Sequence, residues 1–125
     1  MTGFAFPKTA RLLRRDEFLA TREKGRSFTD GPLAASFRPR PKETARATTE
    51  TMPAQARVGL TVSSRVGDAV VRNQIKRRLR EAVRHELRAF PVVDLVLVAR
   101  PSALTASVEE LRLWLRKAAA RMRGG

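Results

Sequence analysis

Five cations stand four residues apart along one stretch of this chain: Arg72, Lys76, Arg80, Arg84 and Arg88. On an α-helix such spacing stacks them on one ridge, with neighbouring side chains about 6 Å apart. That separation is close to the phosphate repeat along a nucleic-acid strand. Asn73 and Arg77 fill the same polar side. A guanidinium is planar, always charged and able to grip two phosphate oxygens at once. The chemistry expected of this ridge is therefore recognition of a polyanion, not acid–base catalysis. Residues 72–88 hold seven cations against Glu81 and Glu86, so 7 − 2 leaves +5. Solvated helix faces usually alternate their signs. Like charges at this spacing oppose the helix by a few tenths of a kcal/mol per pair, a cost that an anionic partner removes.

The whole chain leans the same way. Its 125 residues carry 26 Lys+Arg, 21 of them Arg, against 12 Asp+Glu, for a net charge of +14. Self-repulsion on that scale works against compaction, and a nucleic-acid partner is the direct explanation. With no Cys, thiolate metal sites, thiol nucleophiles and disulfides are excluded. A lone His85 supplies no histidine cluster. Asp16, Glu17, Asp30, Asp68 and Asp94 are scattered over different predicted elements, whereas an autonomous nuclease would gather carboxylates around two metal ions. Met1 to Pro7 is too short and broken for a signal peptide, and the longest apolar run, Val92 to Ala99, is too short to span a bilayer. The cytoplasm is the expected compartment.

A single domain over residues 1–125 has to position the ridge. A short helix is expected over Asp16–Lys24, capped by Asp16 and stopped by Gly25, and a strand over Leu33–Phe37. Residues 38–56 have three prolines and no apolar periodicity, and are read as a flexible loop; 1–8 and 123–125 are read as disordered tails. A strand follows at Arg57–Val62, with Val58, Leu60 and Val62 on one face. The long helix is expected over Asp68–Arg88, its buried sector being Ile75, Leu79, Val83 and Leu87. Val92–Ala99 reads as a strand covered on both faces. Ser107 and Glu110 form a capping-box pattern before a helix whose stripe Leu111, Trp114, Leu115, Ala118, Ala119, Met122 is core. Arg78 falls off the ridge and reads as an ordinary surface residue. The order implies an α/β sandwich of about four strands and three helices.

The run V-G-L-T-V-S-S-R-V-G-D-A-V-V-R-N-Q-I-K-R-R-L-R-E-A-V-R, Val58 to Arg84, resembles the signature of the bacterial ribonuclease P protein subunit. Its R-N-x-x-K-R hallmark is met by Arg72, Asn73, Lys76 and Arg77, followed by L-R-E at Leu79–Glu81. The likeness extends to F-x-x-x-x-x-x-G-R-S at Phe18–Ser27 and to D-L-V-L-V-A-R-P at Asp94–Pro101. It implies a ribosomal-protein-S5-domain-2-like sandwich with a left-handed β-α-β crossover, where connection rules alone favour the right hand. It also implies a ribonucleoprotein that removes the 5′ leader of precursor tRNA, with Mg²⁺-dependent hydrolysis performed by the RNA subunit and no catalytic or metal-binding residue in the protein.

By the same resemblance, Arg65, Arg72, Asn73, Lys76, Arg77, Arg80 and Arg84 bind the RNA subunit. Phe18, Arg22, Phe28, Ser36, Phe37 and Arg57 are the candidates for holding the single-stranded leader, in a cleft between the first helix and the sheet. Gln74 stands where the family often has Arg, Arg22 where a second aromatic is common, and Ser36 where an aromatic often lies on the first strand. Leader stacking would then lean on fewer rings and more on guanidinium planes. Core packing is an equally ordinary role for Phe18 and the more ordinary one for Phe28 and Phe37. The alternatives are a non-catalytic ribosome-associated or DNA-binding basic protein. A DNA reader, however, would place a second helix before its recognition helix, and here a strand and the turn Ser63–Gly67 precede it.

Overall fold

The computed structural model describes residues 10–12, 14–41 and 55–124. Helix α1 (Arg15–Lys24) leads into β1 (Arg26–Asp30), β2 (Leu33–Pro39) and β3 (Arg57–Thr61). Helix α2 (Ala69–Glu86), β4 (Val93–Ala99) and helix α3 (Val108–Gly124) follow, with short 3-10 segments before β4 and α3. The strands form one mixed sheet in the order β1-β2-β4-β3. β1 and β2 are an antiparallel hairpin turning at Gly31, whose φ of 55° suits a residue without a Cβ. β4 lies antiparallel to β2 and parallel to β3, so β3-α2-β4 is a β-α-β crossover.

Because strand side chains alternate, the apolar run of β4 serves both faces. Leu95 and Leu97 are fully buried in the core beneath α2 and α3, with Val93 and Ala99. Asp94, Val96 and Val98 point to the other face, which α1 crosses. α2 buries Ile75, Leu79 and Val83, with Leu87 just beyond its end, and α3 buries the expected stripe, Leu111 through Met122. Burying one such aliphatic side chain is worth about 1.5–3 kcal/mol, so this layer carries most of the stability.

Polar contacts fix the helices in place. Asp68 caps α2 by accepting from the Val71 N–H at 3.0 Å. Ser107 and Glu110 cap α3 reciprocally, both bonds 3.1 Å. Glu86, 7% exposed, accepts from Arg112 at 2.8 Å and Arg116 at 3.1 Å, tying α2 to α3. Arg78 is not an ordinary surface residue: it donates to the carbonyls of Leu104 and Ala106, pinning the entry to α3.

Several boundaries differ from the sequence reading. α1 begins one residue early, so its N-cap is Arg14, whose side chain is no acceptor, and Asp16 falls in the first turn, paired with Arg14 at 3.3 Å. β1 is unforeseen, since R-S-F-T-D holds a single apolar residue. Of the expected loop, Arg38 and Pro39 belong to β2 and Ala56 is fully buried, while 42–54 lie outside the described residues. The expected tail at 1–8 lies outside them too. Arg123 and Gly124 continue α3, Arg123 donating to the Ala89 carbonyl.

Candidate nucleic-acid interface

The buried stripe of α2 dictates where its cations go. With Ile75, Leu79 and Val83 turned down onto the sheet, Asn73, Arg77 and Arg80 are exposed, and Arg72, Lys76 and Arg84 are half-buried beside them. Arg65 is exposed in the turn that precedes the helix. Arg77, Arg80, Glu81 and Arg84 line one basin of about 370 Å³, and its remaining wall is Arg11. Sequence reading missed Arg11. It arrives because the segment before α1 runs parallel to β3, Arg11 bridging to Val58 and the Leu12 N–H donating to the Val58 carbonyl at 3.0 Å. No motif announces that pairing.

The two carboxylates of this region behave differently. Glu81 accepts from Arg84 and bonds His85, and those hydrogen bonds hold its carboxyl below the usual carboxylate range. Burial pushes the Glu86 carboxyl up, but hydrogen bonds from Arg112 and Arg116 outweigh it and leave the group below its ordinary value. Glu86 therefore offsets α3, and of the ridge cations only Arg84 is paired with one of these two carboxylates.

A second pocket, about 290 Å³, joins the ridge to α1: Lys76 and Arg80 line it together with Arg11, Leu12, Phe18, Val58 and Leu60. Phe18 points the tip of its ring at Gly59 of β3, where a Cβ would stand 2.3 Å from Cζ. Only glycine admits the ring there. Phe18 is half-buried, so part of the ring remains available next to two cations.

Beyond Phe18, α1 is fastened to the sheet by a chain of ion pairs. Glu17 meets Arg57 at 2.9 Å, Arg57 grips both oxygens of Asp94 at 2.8 Å, and Arg38 reaches Asp94 at 3.3 Å. Asp94 is fully buried and the Arg57 side chain only 11% exposed. Burial pulls the Arg57 pKa down, yet the bonds and charges of Asp94 and Glu17 raise it above the ordinary arginine value. Proposed from sequence as a leader contact, Arg57 has its guanidinium committed to holding α1 in place.

The face beside α1 is built from register partners. Ser27 opposes Ser36, their hydroxyls 2.9 Å apart; Ser36 opposes Val96, and Val96 opposes Gly59. The next row is Thr29, Ala34, Val98 and Thr61. Val96 and Gly59 are buried, but the two serines and the second row stay at least partly exposed as a shallow cleft, with Phe18 at one end, Ser36 on its floor and Arg22 exposed on α1. Phe28 and Phe37 are not in it. Phe37 opposes the core residue Leu95, one residue out of phase with Ser36. Phe28 stacks on Trp114 at 5.6 Å and meets Phe37 edge-on at 6.2 Å, while the indole N–H donates to the Asp30 carbonyl at 2.7 Å. Both rings join the hairpin to α3 on the opposite face.

Among the described residues no three His, Asp or Glu side chains are grouped as metal ligands, and no helix is long and apolar enough to cross a membrane.

Comparison with known proteins gives a consistent result. Residues 6–123 match the family model described as Ribonuclease P. The ribonuclease P protein component of Citrifermentans bemidjiense is 37% identical over 123 residues, covering 98% of this chain and 97% of that protein. That of Gluconacetobacter diazotrophicus is 41% identical over 117 residues, covering 89% and 92%. The RNase P protein of Staphylococcus aureus superimposes with a TM-score of 0.70 at 23% identity, covering 91% of this chain and 94% of that one. The Thermotoga maritima RNase P protein does so at 0.68 and 24%, covering 89% and 96%. A chain with this signature, this sheet and this arginine ridge belongs to the ribonuclease P protein component family, the protein subunits of the enzyme that processes the 5′ end of tRNA.

Proposed function

We propose that the chain binds the RNA subunit of ribonuclease P along α2 and holds the single-stranded leader of precursor tRNA in the cleft between α1 and the sheet. The observation that carries this reading is continuity: Lys76 and Arg80 of the ridge and Phe18 of the cleft line one pocket. A phosphate on the cations therefore leaves its neighbouring base next to the ring, the pairing of charge and stacking that single strands need. Arg65, Arg72, Asn73, Lys76, Arg77, Arg80 and Arg84 serve the RNA subunit, joined by Arg11. Phe18, Arg22 and Ser36 serve the leader; Phe28, Phe37 and Arg57 hold the scaffold.

Hydrolysis belongs to the RNA subunit and its Mg²⁺. Among the described residues the carboxylates do not gather around such an ion: Asp94 is enclosed by two arginines, Asp16 and Glu17 on α1 pair with Arg14 and Arg57, and Asp30 and Asp68 lie on or beside other elements. Charge neutralisation by the ridge lowers the Mg²⁺ concentration at which the RNA works, and leader contacts strengthen substrate binding. The compartment of such a complex is the cytoplasm.

The test is reconstitution. Protein alone leaves precursor tRNA intact, and protein added to a ribonuclease P RNA restores cleavage at low Mg²⁺. Cleavage by rigorously RNA-free protein would overturn the assignment.

A further inference from the structure

A second groove lies where α1 ends, on the side of the helix away from the cleft. It has a volume of about 530 Å³, within the range of small-ligand sites. Phe37, Pro39, Pro91, Val92, Val93 and Met122 give it an apolar lining, and Lys24, Arg26 and Arg38 are the charged residues around it. None of its lining residues is acidic. An apolar floor with only cations at the rim matches a nucleotide: base on the floor, phosphate at Lys24 and Arg26. A protein partner would meet the same cations with no acid to set its register.

Position selects which nucleotide. The ridge and Phe18 stand at the β3 side of the sheet, and a strand leaving them along the cleft passes Ser36 and Ser27 toward the β1–β2 side. There the C-terminus of α1 is seated tightly, a Cβ on Gly25 falling 2.3 Å from the Phe37 carbonyl oxygen. Lys24 and Arg26 flank that junction, so a strand rounding it enters the groove without leaving positive charge.

We propose that this groove binds leader nucleotides upstream of those in the cleft, extending the single-strand site around the end of α1. The proposal rests on the leader reading given above. Val92 is 41% exposed, so Val92→Glu places a carboxylate on the floor without opening the core. The experiment compares Val92→Glu and the double variant Lys24→Ala/Arg26→Ala with the parent protein, each reconstituted with ribonuclease P RNA. Affinity is measured for precursor tRNAs whose leaders are shortened stepwise. Both variants should bind long-leader substrate about threefold to tenfold more weakly, and match the parent once the leader no longer reaches past the cleft. Melting curves and RNA-subunit affinity should stay at parent values.

Equal losses at every leader length would mean general electrostatics, and no loss at any length would mean no site; either overturns the groove. Phe18→Ala separates this from failure of the cleft itself. If it weakens short-leader substrate while the groove variants leave long-leader binding untouched, only the groove proposal fails. If Phe18→Ala has no effect on any leader, the cleft reading fails.

Discussion

Helices α2 and α3 carry comparable cation loads and put them to opposite uses. In α3, Arg112 and Arg116 bond Glu86, Arg121 lies 4.5 Å over the Phe28 ring, and Arg123 donates to the Ala89 carbonyl. In α2, Arg78 and Arg84 have protein partners, but Lys76, Arg77 and Arg80 have no hydrogen-bond or ion-pair partner among the described residues. Composition alone would call both helices nucleic-acid binding. Much of the difference is set by Glu86: it sits on α2 but faces α3, pairing Arg112 and Arg116 there while Lys76, Arg77 and Arg80 on its own helix keep no acceptor. An arginine-rich helix is an RNA surface only where the protein's own acceptors are out of reach.

The contrast can be broken from either side. The largest effect on stability is expected from Leu79→Ala, because the residue is fully buried beneath the ridge. It should cost about 2–5 kcal/mol, read as a shifted denaturation midpoint, with RNA affinity of the folded fraction unchanged. Glu86→Ala should cost about 1–3 kcal/mol, less than a fully enclosed pair because Arg116 is half-exposed. It also frees two cations on α3, so non-specific RNA binding should strengthen and its salt slope steepen by up to about 2. An unchanged slope would show that α3 is turned away from RNA for some other reason.

The same carboxylate gives a pH signature. The folded pKa of Glu86 is depressed, so the pair contributes its full stability above the unfolded value of about 4.3. That contribution is lost as pH falls through the lower folded value. The gap in Tm between the parent and Glu86→Gln should be constant near neutrality and close below about pH 4. The smallest stability change belongs to the ridge. Lys76→Ala, Arg77→Ala and Arg80→Ala should each shift stability by no more than about 0.5 kcal/mol, with any gain coming from relieved repulsion. Each should nevertheless lower the log–log salt slope for RNA by about 0.7–0.9. Three silent variants would make the ridge an ordinary solvated face.

The ridge, the buried stripes of both long helices and the cap of α3 were legible in the sequence because each is a local periodicity. Two things were not. The pairing of Asp94 with Arg57 and Arg38 spans 37 and 56 residues, and nothing local distinguishes a carboxylate that will be buried from one that will be solvated. The identity of the strand face was half-legible. Ser36 and Phe37 are adjacent, so alternation alone forbids both from reaching the same cleft. Only the register against β4 decides which one does, and β1 itself has too little apolar content to declare a strand. Arg11 reaches the basin through a backbone bridge that carries no side-chain signal at all.

The placement of β4 bears on how the chain acquires its shape during synthesis. It is the sixth of the seven helices and strands, yet it lies between β2 and β3 and touches both. Until residue 99 has emerged, the nascent chain holds a lone hairpin, a β3 with no strand partner beyond the short bridge at Arg11, and a helix whose apolar side has no complete sheet to lie on. Long-range and parallel pairings of this kind form slowly, since the intervening chain must be ordered first. The arginine ridge is thus synthesised before the strand that completes the structure orienting it. Insertion of β4 is therefore the step that turns a string of cations into an oriented surface.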